Sequence, residues 1–594
     1  MKQFILGFVL GIVFVGLVFF VIGAALVLAI GQGSGPGKIA DNSVLVLPLS
    51  GPVPEQAALE VSIPFLAQSG GMTVLEIYRV LDAAADDDRI EALVLDAGGL
   101  STGWAKMEEL RSEIEKFKTN SGKPVYAYLS GATSREYYIA SAADRIYMGP
   151  QDWLDVKGLR AELMYLKGLL DKIGVEMEFE AFGKYKDAPD QYTKTGPSET
   201  TLEVLNETLD QFYGNLVDVI ANGRGWTHEQ VLELINEGPF VAQNALSKGL
   251  VDGLLFKDDF YDEVKNAAGI DEDLDLTRTS ASTYLANLNN ESPAGKWIAV
   301  VTADGEILPS SSQPSFSEVA ITSRGMTKIL RQIRDDDRIS GVILRVDSPG
   351  GDAVASDEIL HEMQKLSEKK PLVISMSDYA ASGGYMISMT GDPVLAYDNT
   401  QTGSIGVFFG KPNLKGLFDK LGVNVYTMDR GKWASIDSSV EPMTTAERNK
   451  LHGELEVYYQ RFVDLVAEGR HSNYETIAPL AEGRVWLGRQ AADNDLVDKI
   501  GGFDEAIAMV RENAEIPESD KISLIAYPRR QTLWELLLNQ EQQNNNMTTS
   551  ALLSHWAAEW TGAAEPLEQL KGLPWRSLSH GGALELAPYS IEVQ

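Results

Sequence analysis

Residues Phe4 to Ile30 form an apolar run that no charged residue interrupts. A helix rising 1.5 Å per residue crosses the hydrocarbon core in about 20 residues, whereas a cleaved signal peptide carries an apolar stretch of only about 7–15. The run therefore predicts a retained transmembrane anchor, taken as residues 1–31, with a Gly-rich linker over 32–43. Lys2 and Lys38 flank it, one cation on each side. That leaves the orientation weakly marked, with the N-terminus expected inside and the remaining mass outside. Beyond it the pattern changes to short apolar runs, bounded by turn residues and spaced by amphipathic stretches. Val44–Leu49, Ala92–Leu95, Val125–Leu129 and Arg145–Met148 read as strands. So do Trp297–Val301, Gly341–Val346, Leu372–Met376 and Val394–Ala396. Helical patterns lie between them, which predicts parallel α/β units.

These two sets of strands belong to an internal repeat. Gly71-Met72-Thr73 with Asp86-Asp87-Asp88-Arg89-Ile90 recurs as Gly325-Met326-Thr327 with Asp335-Asp336-Asp337-Arg338-Ile339. Lys167-Gly168-Leu169-Leu170-Asp171-Lys172 recurs as Lys415-Gly416-Leu417-Phe418-Asp419-Lys420, and Leu250-Val251-Asp252 as Leu496-Val497-Asp498. Residues 134–186 align with the second copy without a gap, at an offset of 248. The expected organisation is a first domain over 44–280, a link over 281–296, a second domain over 297–530, and a tail over 531–594. The tail holds a Gln/Asn-rich loop and a Trp-bearing stretch near Trp556–Trp560, with no function assigned to it.

Composition narrows the chemistry. The chain has 594 residues, 44% hydrophobic and 23% charged, which is an ordinary globular balance. A net charge of −34 argues against nucleic acid as a partner, because phosphate binding needs clustered cations. There is no Cys, so a thiol nucleophile, a thiolate metal site and a disulfide framework are all excluded.

Two motifs of the second copy can carry acyl-transfer chemistry. Ala381-Ser382-Gly383-Gly384-Tyr385 follows a strand and opens a helix. It can present a hydroxyl beside bare backbone N–H groups, although in isolation it also reads as a plain helix cap. Asp347-Ser348-Pro349-Gly350-Gly351-Asp352 ends another strand in an expected Gly-Gly turn. Together they make Gly351 and Gly383 candidates for an oxyanion hole facing Ser382. None of the six His lies in a repeat motif, so a Ser-His-Asp triad lacks an obvious base. A Lys can serve instead if burial lowers its pKa. Lys184 pairs with Lys432 across the copies, but Lys186 pairs with Ala434; in an extended segment 184 and 186 would share a face. Ser382-Gly383-Gly384 pairs with Ser134-Arg135-Glu136, which lacks both Gly, and Ser404 of Thr402-Gly403-Ser404-Ile405-Gly406 pairs with Val156. One copy keeps a candidate base and the other a candidate nucleophile, as a single site built across both would require; drift between repeats is the bland alternative.

With Tyr185-Lys186, these motifs resemble those of the long, tandem-repeat signal peptide peptidases of the SppA (protease IV) family, over roughly residues 1–530. The resemblance implies an α/β fold of two tandem ClpP/crotonase-like domains of repeated ββα units, preceded by one transmembrane helix. It implies a Ser/Lys dyad endopeptidase that degrades cleaved signal peptides and other short apolar peptides. Ser382 would be the nucleophile, Lys186 the base and Ser404 the residue that orients the Lys, with no metal or cofactor. It further implies a bowl-shaped homotetramer. The expected location is the bacterial inner membrane, entered once through residues 4–30, with the catalytic domains on the periplasmic side. One departure stands out: Asp187-Ala188-Pro189-Asp190 follows Lys186, where a Ser is expected next to the Lys. Two other classes remain open on the residues alone: a crotonase-type acyl-CoA enzyme, which would lack an essential Ser, and a non-catalytic membrane scaffold.

Overall fold

The computed structural model describes residues 37–56, 71–270, 276–290, 292–312, 319–529 and 583–586. The apolar run Phe4–Ile30 and the Trp556–Trp560 stretch lie outside the described residues. Among the described residues no helix is long and apolar enough to cross a membrane.

Each copy builds a sheet with the same strand order. In the first copy the order is Thr277–Ser280, Ser43–Gly51, Ile90–Leu100, Val125–Leu129, Arg145–Met148, Gly253–Leu254, and every pairing is parallel. In the second copy Ile522–Tyr527, Lys296–Asp304, Ile339–Ser348, Leu372–Ala381, Val394–Ala396 and Lys499–Ile500 follow one another in the same way. Central strands such as Val125–Leu129 are buried along their whole length. That burial explains their continuous apolar runs, since helices cover both faces of a parallel sheet.

The repeated Asp-Asp-Asp-Arg turn has a local cause. The carboxylate of Asp87 accepts from the Arg89 backbone N–H at 3.0 Å and from its guanidinium at 2.7 Å; Asp336 does the same for Arg338 at 3.0 and 2.7 Å. The Arg partner holds both carboxyls down at about 2. Lys123 and Lys370, also equivalent, each donate to two carbonyls of the adjacent turn.

Two expectations differ from the structure. The Gly-Gly segments are strand rather than turn. Ile90–Leu100 runs straight through Gly98 and Gly99, and Gly350–Asp352 forms a strand of its own with Gly351 opposite Ile307. A Cβ on Gly98 would lie 2.5 Å from the Ser130 carbonyl oxygen and one on Gly351 2.0 Å from that of Ile307, so the glycines serve close approach of neighbouring backbone. The link is also more ordered than its polar composition implied: Ala281–Asn289 is a helix that buries Ala281, Tyr284 and Leu285. Tyr284 donates its hydroxyl hydrogen to Asp87 at 2.8 Å, which ties the link to the first copy.

The copies share an interface rich in buried charge. Arg345, fully buried in the second copy, pairs with Glu55 at 2.9 Å and with Glu109 of the first. Lys106 lies 2.6 Å from Asp347 and 3.5 Å from Asp378. Asp378 also accepts from the Lys106 backbone N–H at 3.0 Å. It thereby caps helix Trp104–Ser121, whose own N-cap residue, Gly103, has no side chain. A strand from each copy completes the joint: Glu176–Phe182 runs antiparallel to Val407–Asn413, from Glu176 opposite Asn413 to Phe182 opposite Val407.

Candidate active site

Ser382 sits at the junction between strand Leu372–Ala381 and the short helix Gly383–Met386, with φ 54° and ψ −117°. A positive φ is strained for a residue with a Cβ and persists only where surrounding structure enforces it. Here the Ser382 N–H donates to the Gly403 carbonyl at 2.7 Å, and the Met386 N–H donates to the Ser382 carbonyl at 2.8 Å. The two following glycines are dictated by contact. A Cβ on Gly383 would lie 2.6 Å from Ser356 Oγ and 3.1 Å from the Gly351 nitrogen, and one on Gly384 2.6 Å from the Ser348 carbonyl oxygen. The Gly350-Gly351 segment thus lies directly against the start of the helix, beside Ser382. Ser348 fixes that segment: its hydroxyl donates to the Gly305 carbonyl at 2.6 Å and accepts from the Gly350 N–H at 3.2 Å.

Lys186 arrives from the first copy. The cross-copy strand Glu176–Phe182 ends beside Val407, and the chain then turns at Gly183. The Lys186 N–H donates to the Gly183 carbonyl at 3.2 Å and the Tyr185 N–H to the Glu482 carbonyl at 2.8 Å. Lys186 is buried, and its Nζ lies 2.8 Å from Ser382 Oγ, 3.0 Å from the Ser404 carbonyl oxygen and 3.1 Å from Ser404 Oγ. Ser404 also has a positive φ, 52°, and its N–H donates to the Arg484 carbonyl at 2.7 Å. Ser382, Lys186 and Ser404 therefore meet inside one chain, with Gly351 and Gly383 alongside.

The expectation that Lys184 and Lys186 share a face does not hold, because the segment is turned and not extended. Lys184 points to solvent, 3.3 Å from the Tyr185 hydroxyl, while Lys186 points inward. Lys432 is exposed over the ring of Trp433.

In the first copy the corresponding place is filled. Glu136 occupies the position of Gly384; its carboxylate accepts from the backbone N–H of Leu100 and, at 2.7 Å, from that of Thr133. Val156 is buried where the second copy has Ser404.

Sequence reasoning missed the loop Glu482-Gly483-Arg484, which closes over the Lys186 turn. A Cβ on Gly483 would lie 2.7 Å from the Lys186 backbone nitrogen. Arg484 pairs with Glu203 and Glu207, both at 2.7 Å, and lies over the Tyr185 ring. A lone Gly about 100 residues from the nucleophile carries no local signal; only the fold brings it to Lys186.

The model of peptidase family S49 matches residues 117–271 and 364–517, so the first stretch carries Lys186 and the second Ser382 and Ser404. The chain belongs to peptidase family S49. This S49 chain is 32% identical over 506 residues to the chloroplastic serine protease SPPA of Arabidopsis thaliana, covering 83% of itself and 72% of that protein. It is 29% identical over 538 residues to Protease 4 of Salmonella typhi, covering 87% and 85%. ClpP1 from Listeria monocytogenes matches 34% of this S49 chain at 16% identity with a TM-score of 0.21, a likeness too slight to bear on the fold. The S49 chain is a serine peptidase, an α/β protein of two repeats.

Proposed function

We propose that the protein is a membrane-anchored endopeptidase that degrades cleaved signal peptides and other short apolar peptides by a Ser/Lys dyad. The observation that carries the dyad is the 2.8 Å approach of Lys186 Nζ to Ser382 Oγ with Ser404 at its other side. A neutral amine has two hydrogens and one lone pair. Donating the hydrogens to the Ser404 carbonyl and hydroxyl oxygens leaves the lone pair aimed at the Ser382 hydroxyl. Ser382 Oγ attacks the scissile carbonyl as Lys186 takes its proton, and the N–H groups of Gly351 and Gly383 receive the developing oxyanion. Collapse breaks the C–N bond, with Lys186 returning the proton to the leaving amine. Water then hydrolyses the acyl-enzyme by the same proton route.

The substrate runs antiparallel to Gly350–Asp352. Residues Ala583–Leu586 support this direction: they pair antiparallel with that strand on one side and with Val407–Asn413 on the other, directly beside the dyad. Such strand addition gives affinity through main-chain hydrogen bonds and suits peptides of varied sequence. We place the catalytic domains on the periplasmic face of a bacterial inner membrane, held by residues 4–30 near membrane-released peptides. We further propose assembly as a homo-oligomer, a tetramer by likeness to the family. The test is hydrolysis of a synthetic signal peptide by wild type beside Ser382→Ala, with fluorophosphonate labelling of both. Turnover and labelling by wild type alone are expected; equal turnover by Ser382→Ala overturns the reading.

A further inference from the structure

The joint between the two copies uses surfaces that recur, unused, at the two ends of the chain. Within the chain, strand Glu176–Phe182 of the first copy pairs with Val407–Asn413 of the second. Just before it, Gly174 meets Gly416 so closely that a Cβ on Gly174 would lie 2.6 Å from the Gly416 carbonyl carbon. Lys420 adds donations to the carbonyls of Asp171 and Lys172, at 3.3 and 2.5 Å.

The gapless offset of 248 locates the counterpart of every one of these elements. Glu176–Phe182 corresponds to residues 424–430, and Val407–Asn413 to 159–165. Gly174 corresponds to Gly422, and Gly416 to Gly168. The helices Lys167–Ile173 and Lys415–Leu421 match residue for residue. Yet nothing lies within 4 Å of a Cβ built on either Gly168 or Gly422. Residues 421–430 are exposed throughout, with Tyr426 at 86% and Met428 at 75%; Met164 at the other end is 75% exposed. Apolar side chains alternate with charge along two extended segments that lack the strand partner their counterparts have. Such an edge is a template for another chain.

We infer that these two surfaces are complementary halves of one interface, and that a second copy of this chain is the partner. Residues 424–430 of one protomer pair antiparallel with 159–165 of the next, and Gly422 of the first packs on Gly168 of the second. The internal register carries over: Val425 stands opposite Met164, Tyr426 opposite Leu163, and Asp429 opposite Arg160. An apolar strip is thus buried and a carboxylate meets a guanidinium, where the opposite assignment of charge would repel. The contact is head-to-tail, so closed rings form when the rotation closes. The junctions between chains carry no dyad, because Lys186, Ser382 and Ser404 are replaced there by Ala434, Ser134 and Val156. An assembly of n chains therefore holds n active sites, each within a single chain. The inference rests on the duplication and the bare surfaces, and it stands or falls apart from the peptidase reading.

The chain has no Cys, so engineered pairs report without background. Full-length protein carrying Met164→Cys and Val425→Cys together, purified in detergent and mildly oxidised, should give a ladder of disulfide-linked multimers on a non-reducing gel. Each single variant should run as one band. The mismatched pair Met164→Cys with Asp429→Cys, four residues out of register, should give no ladder. Gly168→Trp, placed in open space within the chain, should reduce the light-scattering mass to that of one chain while leaving the circular-dichroism spectrum unchanged. A wild type of single-chain mass at micromolar concentration overturns the inference. So does dimerisation of Met164→Cys alone, which would mean a two-fold contact. A multimer that Gly168→Trp leaves intact, or whose matched cysteine pair stays silent, puts the contact elsewhere.

Discussion

Lys186 can take a proton from Ser382 only as a neutral amine, yet a free Lys titrates near 10.4. Burial disfavours the ammonium, and lowering the pKa to about 7–8 requires roughly 3–5 kcal/mol, at about 1.36 kcal/mol per unit. Three substitutions follow from the geometry. Lys186→Ala should be inactive, and Lys186→Arg equally so, because a guanidinium is not deprotonated in this range. Lys184→Ala and Lys432→Ala, whose ammonium groups lie in solvent, should keep wild-type turnover. In the active proteins kcat/KM should climb with pH as the amine loses its proton, with no limb attributable to His. An active Lys186→Arg enzyme would remove Lys186 from the mechanism. At the nucleophile, Ser382→Ala should lose about 10³-fold or more in kcat. Ser134→Ala should lose almost nothing, because Glu136 already fills the oxyanion place beside it. Probe labelling of Ser134 would contradict that asymmetry. These residue roles were readable from the comparison of copies, since Lys186/Ala434 and Ser404/Val156 differ in side-chain chemistry. Which way each lysine points was not, because it depends on a turn closed by Gly483 from the other copy.

Among the elements, the short strand Ala583–Leu586 occupies the gap between Gly350–Asp352 and Val407–Asn413. A peptide binding there must take its place. A chain ending at residue 582 should therefore cleave short apolar peptides with a lower KM, by several-fold, and little change in kcat. Steady-state kinetics on one soluble peptide decides this, and an unchanged KM would mean that the strand does not compete. The periodicity of the sequence located most strands and helices well: Val125–Leu129, Arg145–Met148 and Val394–Ala396 coincide with their apolar runs. It failed where a neighbour decides the conformation. Gly98-Gly99 and Gly350-Gly351 looked like turns because glycine is permissive. They are strands because adjacent backbone comes too close for any Cβ.

For the molecule as a whole, the joint between copies holds carboxyls that are costly to ionise. Glu113 is buried on the helix Trp104–Ser121; burial first, then the nearby Asp504, push its pKa up to about 8 from 4.5. A carboxyl that binds its proton more tightly when folded than unfolded loses stability as pH rises from its unfolded pKa through its folded one. Stability should thus fall between about pH 4.5 and 8, and Glu113→Gln should raise Tm by a few degrees at pH 8 but little at pH 5. Calorimetry at the two pH values checks this; an equal gain at both would assign the effect to packing. Removing residues 1–43 should leave a soluble enzyme active on a soluble peptide, because the Gly-rich linker cannot shape the site. A truncated chain that folds yet cannot cleave would show that the anchor does more than hold the enzyme at the membrane.

The duplication, the parallel α/β architecture and the residues of the dyad were determined by the sequence itself. Apolar runs record burial on both faces of a sheet, and paired copies expose each functional substitution against its own control. Only the tertiary structure decided that the Lys of one copy reaches the Ser of the other within the same chain. That contact spans 196 positions and depends on one antiparallel pairing, Glu176–Phe182 on Val407–Asn413. The same fold left the counterparts of that pairing, residues 424–430 and 159–165, at opposite ends of the chain. No local pattern distinguishes a strand that finds its partner inside the chain from one that must find it in another. The choice belongs to the order in which the two copies are joined.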